Sequence, residues 1–178
     1  MIHLARHGQT AYNAEGRFQG HLPVPLDDRG REQARALAER VAEVELRALV
    51  CSPLARARET AEIVARRIGL QPEEDDRFAE TDTGDWTGRS FVEIETEDPD
   101  GFRRFQVSDP SFRYPGGESF AEQSDRVQAG LRDLRARAER LPALVVCHRG
   151  VIRLALAVAL GDETAGGREI ANASLVTL

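Results

Sequence analysis

Apolar residues along this chain follow two rhythms. Residues 2–5, Ala48–Cys51 and Ala143–Cys147 are short, mostly apolar runs, each followed within three residues by Gly or Pro, and they read as buried strands ending in tight turns. The last of them is apolar throughout, which suits the centre of a sheet. Elsewhere apolar positions recur at steps of three and four, as expected of amphipathic helices packed on that sheet. Ala34, Leu37, Ala38 and Val41 form one such face, after a start signal at Asp27 and Asp28. Leu54, Ala57, Ala61, Val64 and Ile68 form a second, between Ser52-Pro53, read as an N-cap followed by proline, and the stop at Gly69. Phe120, Val127, Leu131, Leu134, Ala138 and Leu141 form a third, with Ser119 and Glu122 in capping-box register. Residues 151–160 are apolar almost all round, so a buried helix is expected, ending at Gly161.

The remaining stretches are less regular. Residues 10–20 carry Asn13, Gly16, Gln19 and Gly20 among few apolar side chains and read as a loop able to present amides to an anion. Residues 71–76 are acidic and irregular, with a short strand expected near Arg77 and Phe78. Residues 89–118 form a helical, partly irregular excursion. Its Phe91, Phe102, Phe105, Phe112 and Tyr114 suggest a satellite core that could also act as a lid. A last strand is expected over residues 174–178, where pairing with a second copy to form a homodimer stays open.

Size and composition narrow the possibilities. At 178 residues the chain suits a single domain, 1–178, long enough to bury about two-thirds of its unfolded surface. A net charge of -6 argues against a nucleic-acid partner, which calls for a broad positive surface. No apolar run is long enough to span a membrane, and Met1 leads into a strand rather than a signal peptide, so a cytoplasmic location is the expectation. Cys51 and Cys147 each close an apolar run and read as reduced core thiols. All 24 basic residues are Arg, so a single Arg says little unless its position is special.

Several positions are special. His7 follows a strand and precedes Gly8, at the carboxyl end where open α/β sheets bind ligands. A neutral imidazole is a nucleophile toward phosphorus, and the neighbouring Arg6 both binds phosphate and disfavours protonation of His7. Arg56 stands in the first turn of a helix, beside unpaired backbone N–H groups at a second strand end. His148 follows the most apolar strand, with Arg149 and Gly150 after it. Glu80 precedes a turn-rich segment anchored by Trp86 and suits proton transfer, a role that Asp82 could share or take. A metal hydrolase built on His3, His7 and His148 is the weaker reading, because no spacing typical of a zinc site occurs.

Taken in order, Arg6-His7-Gly8, Ser52-Pro53-Leu54-Ala55-Arg56-Ala57, Glu80 ahead of Gly84-Asp85-Trp86-Thr87-Gly88, and Cys147-His148 make the whole chain resemble the histidine phosphatase superfamily, or phosphoglycerate mutase-like family. The resemblance implies a three-layer α/β/α sandwich with a mostly parallel central sheet. It implies a phosphomonoester hydrolase acting through a phosphohistidine on a small phosphorylated substrate, without metal or other cofactor. His7 would be the nucleophile, Arg6, Arg56 and His148 the phosphate pocket, and Glu80 the proton donor. Asn13, Gln19 and Gly20 match positions lining the phosphate or substrate entrance. The short chain and Pro115-Gly116-Gly117-Glu118-Ser119 look like the family's small phosphatases. Mutase-type phosphoryl transfer and a non-catalytic phosphate-binding module remain alternatives. Arg149 departs from the pattern, standing where Gly is common, and would either add positive charge to the substrate pocket or give it a differently shaped wall.

Overall fold

The five strands of the sheet lie in the order β3-β2-β4-β1-β5. They are β1 (Ile2–Arg6), β2 (Ala48–Cys51), β3 (Pro72–Glu74), β4 (Ala143–Cys147) and β5 (Leu175–Thr177). The structure, a computed structural model, describes residues 1–161 and 169–178. The first four strands run parallel, and β5 pairs antiparallel with β1. β4 is buried at every position, which is why its sequence needs no polar face. Arg6 pairs with Cys147, and Cys51 with Val146, so β1, β2 and β4 end almost level. The residues that follow those ends, His7, Ser52 and His148, therefore emerge side by side.

Alternation along the strands divides the interior into two cores. Ile2, Leu4, Val145 and Cys147 meet Val127, Leu131 and Leu134 of α6 (Phe120–Ala136) and Val151, Ile152 and Ala155 of α7 (Arg149–Leu160). Ala5, Leu49, Leu144 and Val146 meet Leu37 and Val41 of α2 (Asp28–Val41) and Ala57, Ala61 and Val64 of α3 (Ala55–Ile68). Helices on both faces give the three layers. Each fully buried Leu, Ile or Val here contributes about 1.5–3 kcal/mol relative to exposure.

Several elements differ from expectation. Residues 10–20 contain a one-turn helix, α1 (Ala11–Ala14), because Thr10 and Asn13 form a reciprocal capping box. The third strand lies at Pro72–Glu74, while Asp76–Phe78 is a 3-10 turn capped by the Asp75 side chain. Ser52-Pro53 does not open α3, whose N-cap is Leu54 without a side-chain bond, since the Ser52 hydroxyl is used elsewhere. α6 ends at Ala136, and Ala138 is exposed in a separate 3-10 turn. The far end of α7 is not buried: Val158 is 55% and Leu160 54% exposed. The last strand is shorter than expected, covering Leu175–Thr177. Cys51 and Cys147 are buried free thiols, as their apolar runs suggested.

The excursion contains α4 (Phe91–Glu97) and α5 (Pro99–Gln106), with capping bonds from Ser90 and Asp98. Phe18, Trp86, Phe102, Phe112, Tyr114 and Phe120 fill a third core beneath it. Edge-on contacts such as Phe18–Phe91 at 4.6 Å and Trp86–Tyr114 at 5.3 Å tie it to the body of the molecule.

Candidate active site

His7 and His148 leave adjacent strands, and their ring centroids are 5.1 Å apart. Nδ1 of His7 lies 2.6 Å from the Gly8 carbonyl oxygen. A carbonyl only accepts, so the proton sits on Nδ1 and the lone pair on Nε2. Burial, reinforced by the charges of Arg56 and Arg6, holds the His7 pKa well below the ordinary value of 6.5. The ring is therefore neutral and nucleophilic at neutral pH. Gly8 allows this tight corner, because a Cβ there would run into the backbone of Gly30.

Nε2 of His148 lies 2.7 Å from the Ser52 hydroxyl, which also accepts the Leu54 N–H at 3.2 Å. With no other acceptor for that hydroxyl among the described residues, its proton goes to Nε2. The imidazole proton then lies on Nδ1, a buried atom with no partner in the protein. Burial, followed by Arg56 and His7, also holds the His148 pKa well below 6.5.

Arg6 donates from Nη1 to the Ile170 carbonyl at 2.6 Å, and Arg56 from Nη2 to the Gly20 carbonyl at 2.9 Å. The Nε atoms of both are buried without partners. Burial lowers both guanidinium pKa values to about 10, so both are charged at neutral pH. Leaving a buried donor unsatisfied costs about 1–3 kcal/mol. Arg6 and Arg56 line a cavity that an anion could enter, whereas His148 is fully buried and is not among the residues lining it.

Glu80 accepts the Thr81 N–H at 3.0 Å, Gln123 Nε2 at 3.2 Å and, more weakly, the Thr81 hydroxyl at 3.5 Å on Oε1, and the Gly150 N–H at 3.3 Å on Oε2. A Cβ at position 150 would collide with this carboxylate and push it out of its present position. Arg6, His7, Arg56 and Glu80 line one cavity of about 1120 Å³. Asn13, Gln19, Gly20 and Arg149 line it too, as do Phe91, Phe105 and Tyr114 of the excursion. Asp82 does not: it is exposed, bonds the Gly84 N–H, and faces a separate pocket. His3 is also elsewhere, inside β1 with Nδ1 2.9 Å from the Thr177 hydroxyl. Among the described residues, no three His, Cys, Asp or Glu side chains group as a metal site.

Sequence reasoning missed four contributors. Asn172 donates to the His7 carbonyl at 3.1 Å and to Asn13 Oδ1 at 3.2 Å. Gln123 orients Glu80, Ser52 orients His148, and Arg153 joins the cavity wall. The available signals were a polar residue on an otherwise buried helix face for Gln123, and an arginine within an apolar helix for Arg153.

Known proteins resemble this chain in sequence and fold. The profile of the "Histidine phosphatase superfamily (branch 1)" matches residues 2–178. Phosphoserine phosphatase 1 of Hydrogenobacter thermophilus is 34% identical over 160 residues, covering 90% of this chain and 76% of that protein. "Probable phosphoglycerate mutase GpmB" of Salmonella choleraesuis is 37% identical over 149 residues, covering 83% and 69%. Among solved structures, a mycobacterial glucosyl-3-phosphoglycerate phosphatase complexed with VO3 superposes with a TM-score of 0.89 at 33% identity, covering 98% of this chain and 90% of that one.

Proposed function

The chain belongs to the histidine phosphatase superfamily, and on that premise we propose that it hydrolyses small phosphomonoesters through a phosphohistidine formed on His7. The observation that carries this reading is the neutral His7 ring, its Nε2 lone pair free, set among Arg6, Arg56 and His148 with their unpartnered buried donors. Arg6, Arg56 and His148 Nδ1 hold the phosphoryl oxygens while Nε2 of His7 attacks phosphorus and the ester P–O bond breaks. The transferring group spreads negative charge over its equatorial oxygens, so preorganised cationic donors lower the barrier. Glu80 gives a proton to the departing alcohol. Water then attacks the phosphohistidine, Glu80 takes the water's proton, and phosphate leaves with the P–N bond broken. General acid-base catalysis of this kind contributes roughly 10²- to 10⁴-fold. Asn13, Gln19 and Gly20 shape the entrance, and residues 89–118 act as the lid over it.

His7→Ala is expected to abolish p-nitrophenyl phosphate hydrolysis and acid-labile labelling by a phosphorylated substrate, with the circular dichroism spectrum retained. Substantial turnover by the folded variant would rule out the mechanism. The similarity to a protein named as a phosphoglycerate mutase supports a second reading, in which the phosphoryl group returns to a bound acid instead of water. Interconversion of 2- and 3-phosphoglycerate faster than phosphate release would favour it.

A further inference from the structure

We propose that Arg149 and Arg153 form a second anion subsite, so that the preferred substrates are phosphomonoesters whose alcohol carries a further acidic group, carboxylate or phosphate, within a few bonds of the ester oxygen. The proposal rests on the phosphatase reading and specifies its substrate class.

Both arginines belong to α7 and line the main cavity. Four residues apart, they share one helix face, about 6 Å from each other along the axis. Their place relative to the reaction is set by Gly150, whose N–H bonds Glu80. The proton donor must stand beside the leaving oxygen, so the residues flanking Gly150 stand on the leaving-group side. A group there meets the alcohol, not the transferring phosphoryl.

The charge balance of the cavity points the same way. A phosphate dianion is matched by Arg6 and Arg56. Of the other cationic side chains on the wall, Arg17 pairs with Glu15, Arg103 with Asp100 and Arg104 with Asp109. The Arg149 side chain makes no hydrogen bond or ion pair with a described residue, while Arg153 feels the attraction of Glu80 on the same wall. Asp125 also lines the cavity but is exposed and forms no ion pair among the described residues. Arg149 also repels its neighbours: after burial, its charge is the next cause lowering the pKa values of both Arg6 and Arg153 to about 10. A second anion on the substrate would relieve that repulsion and give Arg149 a partner.

Binding to the His7→Ala protein tests this without turnover, using three ligands on one glycerol frame: glycerol 3-phosphate, 3-phosphoglycerate and glycerol 1,3-bisphosphate. Titration calorimetry should give a diacid at least about tenfold tighter than glycerol 3-phosphate, as charge-assisted hydrogen bonds of this kind imply. Which diacid gains more assigns the second group as carboxylate or phosphate. Adding Arg149→Gln should reduce that ratio about tenfold, and Arg149→Lys should restore part of it. A ratio near one in the protein with Arg149 intact, or a ratio unmoved by Arg149→Gln, would overturn the subsite. Failure of glycerol 3-phosphate itself to bind would instead count against the phosphate pocket, and with it the subsite.

Discussion

Ser52 illustrates how a single hydroxyl can decide what an imidazole does. Its bond to His148 Nε2 leaves the proton on Nδ1, where it is a donor. Ser52→Ala is expected to lower kcat about tenfold or more, and Ser52→Thr to recover much of the loss. Nitrogen-15 spectra of the imidazoles should show the Nδ1–H form of His148 losing population in the alanine variant. An unchanged tautomer would refute this positioning role. His7, Arg6, Arg56, Glu80 and His148 were legible as candidates because each sits at a strand end or beside a turn, where chain position alone suggests chemistry. Asn172 and Ser52 were not, because their roles come from contacts across the fold: Asn172 reaches residue 7, and Ser52 reaches residue 148. A hydroxyl before proline reads locally as a helix cap, and only the level ends of β2 and β4 give it another partner.

Among the elements, those specified by their own periodicity were the readable ones. α2, α3 and β4 each carry an apolar pattern that only one packing satisfies. β3 was unreadable because its three residues, Pro72, Glu73 and Glu74, have no apolar pattern; the edge of β2 recruits them. The excursion was recognisable by its aromatics, and their mutual packing now explains its shape. Trp86 touches Phe18, Phe105, Phe112 and Tyr114, so it joins the excursion to the body. Trp86→Ala should cost about 3–5 kcal/mol of stability. Amide hydrogen exchange should speed up in α4 and α5 more than in the strands, with KM rising more than kcat falls. Equal protection of α4 and α5 in both proteins would contradict this account of the excursion.

For the molecule as a whole, buried neutral histidines make stability depend on pH in a particular window. His7 and His148 titrate well below 6.5 when folded and near 6.5 when unfolded. Below pH 6.5 the unfolded chain binds more protons, so stability present at neutral pH is lost as the pH falls toward the folded values. The slope approaches about 1.4 kcal/mol per pH unit for each ring. Carboxylates such as Glu122, lowered from 4.5 to about 2 by its bond from Arg113, add their own loss only below about 4.5. Urea midpoints measured between pH 7.5 and 5 should therefore decline, and His148→Asn should flatten the decline; a flat profile in the unaltered protein would argue against buried neutral rings. The order of assembly follows from another feature. Ile170 accepts from Arg6, Asn172 holds the His7 carbonyl, and Ala173 donates to the same carbonyl at 3.2 Å. The His7 backbone is thus fixed by residues translated about 165 positions after it, and on the ribosome it cannot settle until residues 170–173 have left the exit tunnel. If His7 acts as proposed, translation products cut short before that point would be catalytically silent.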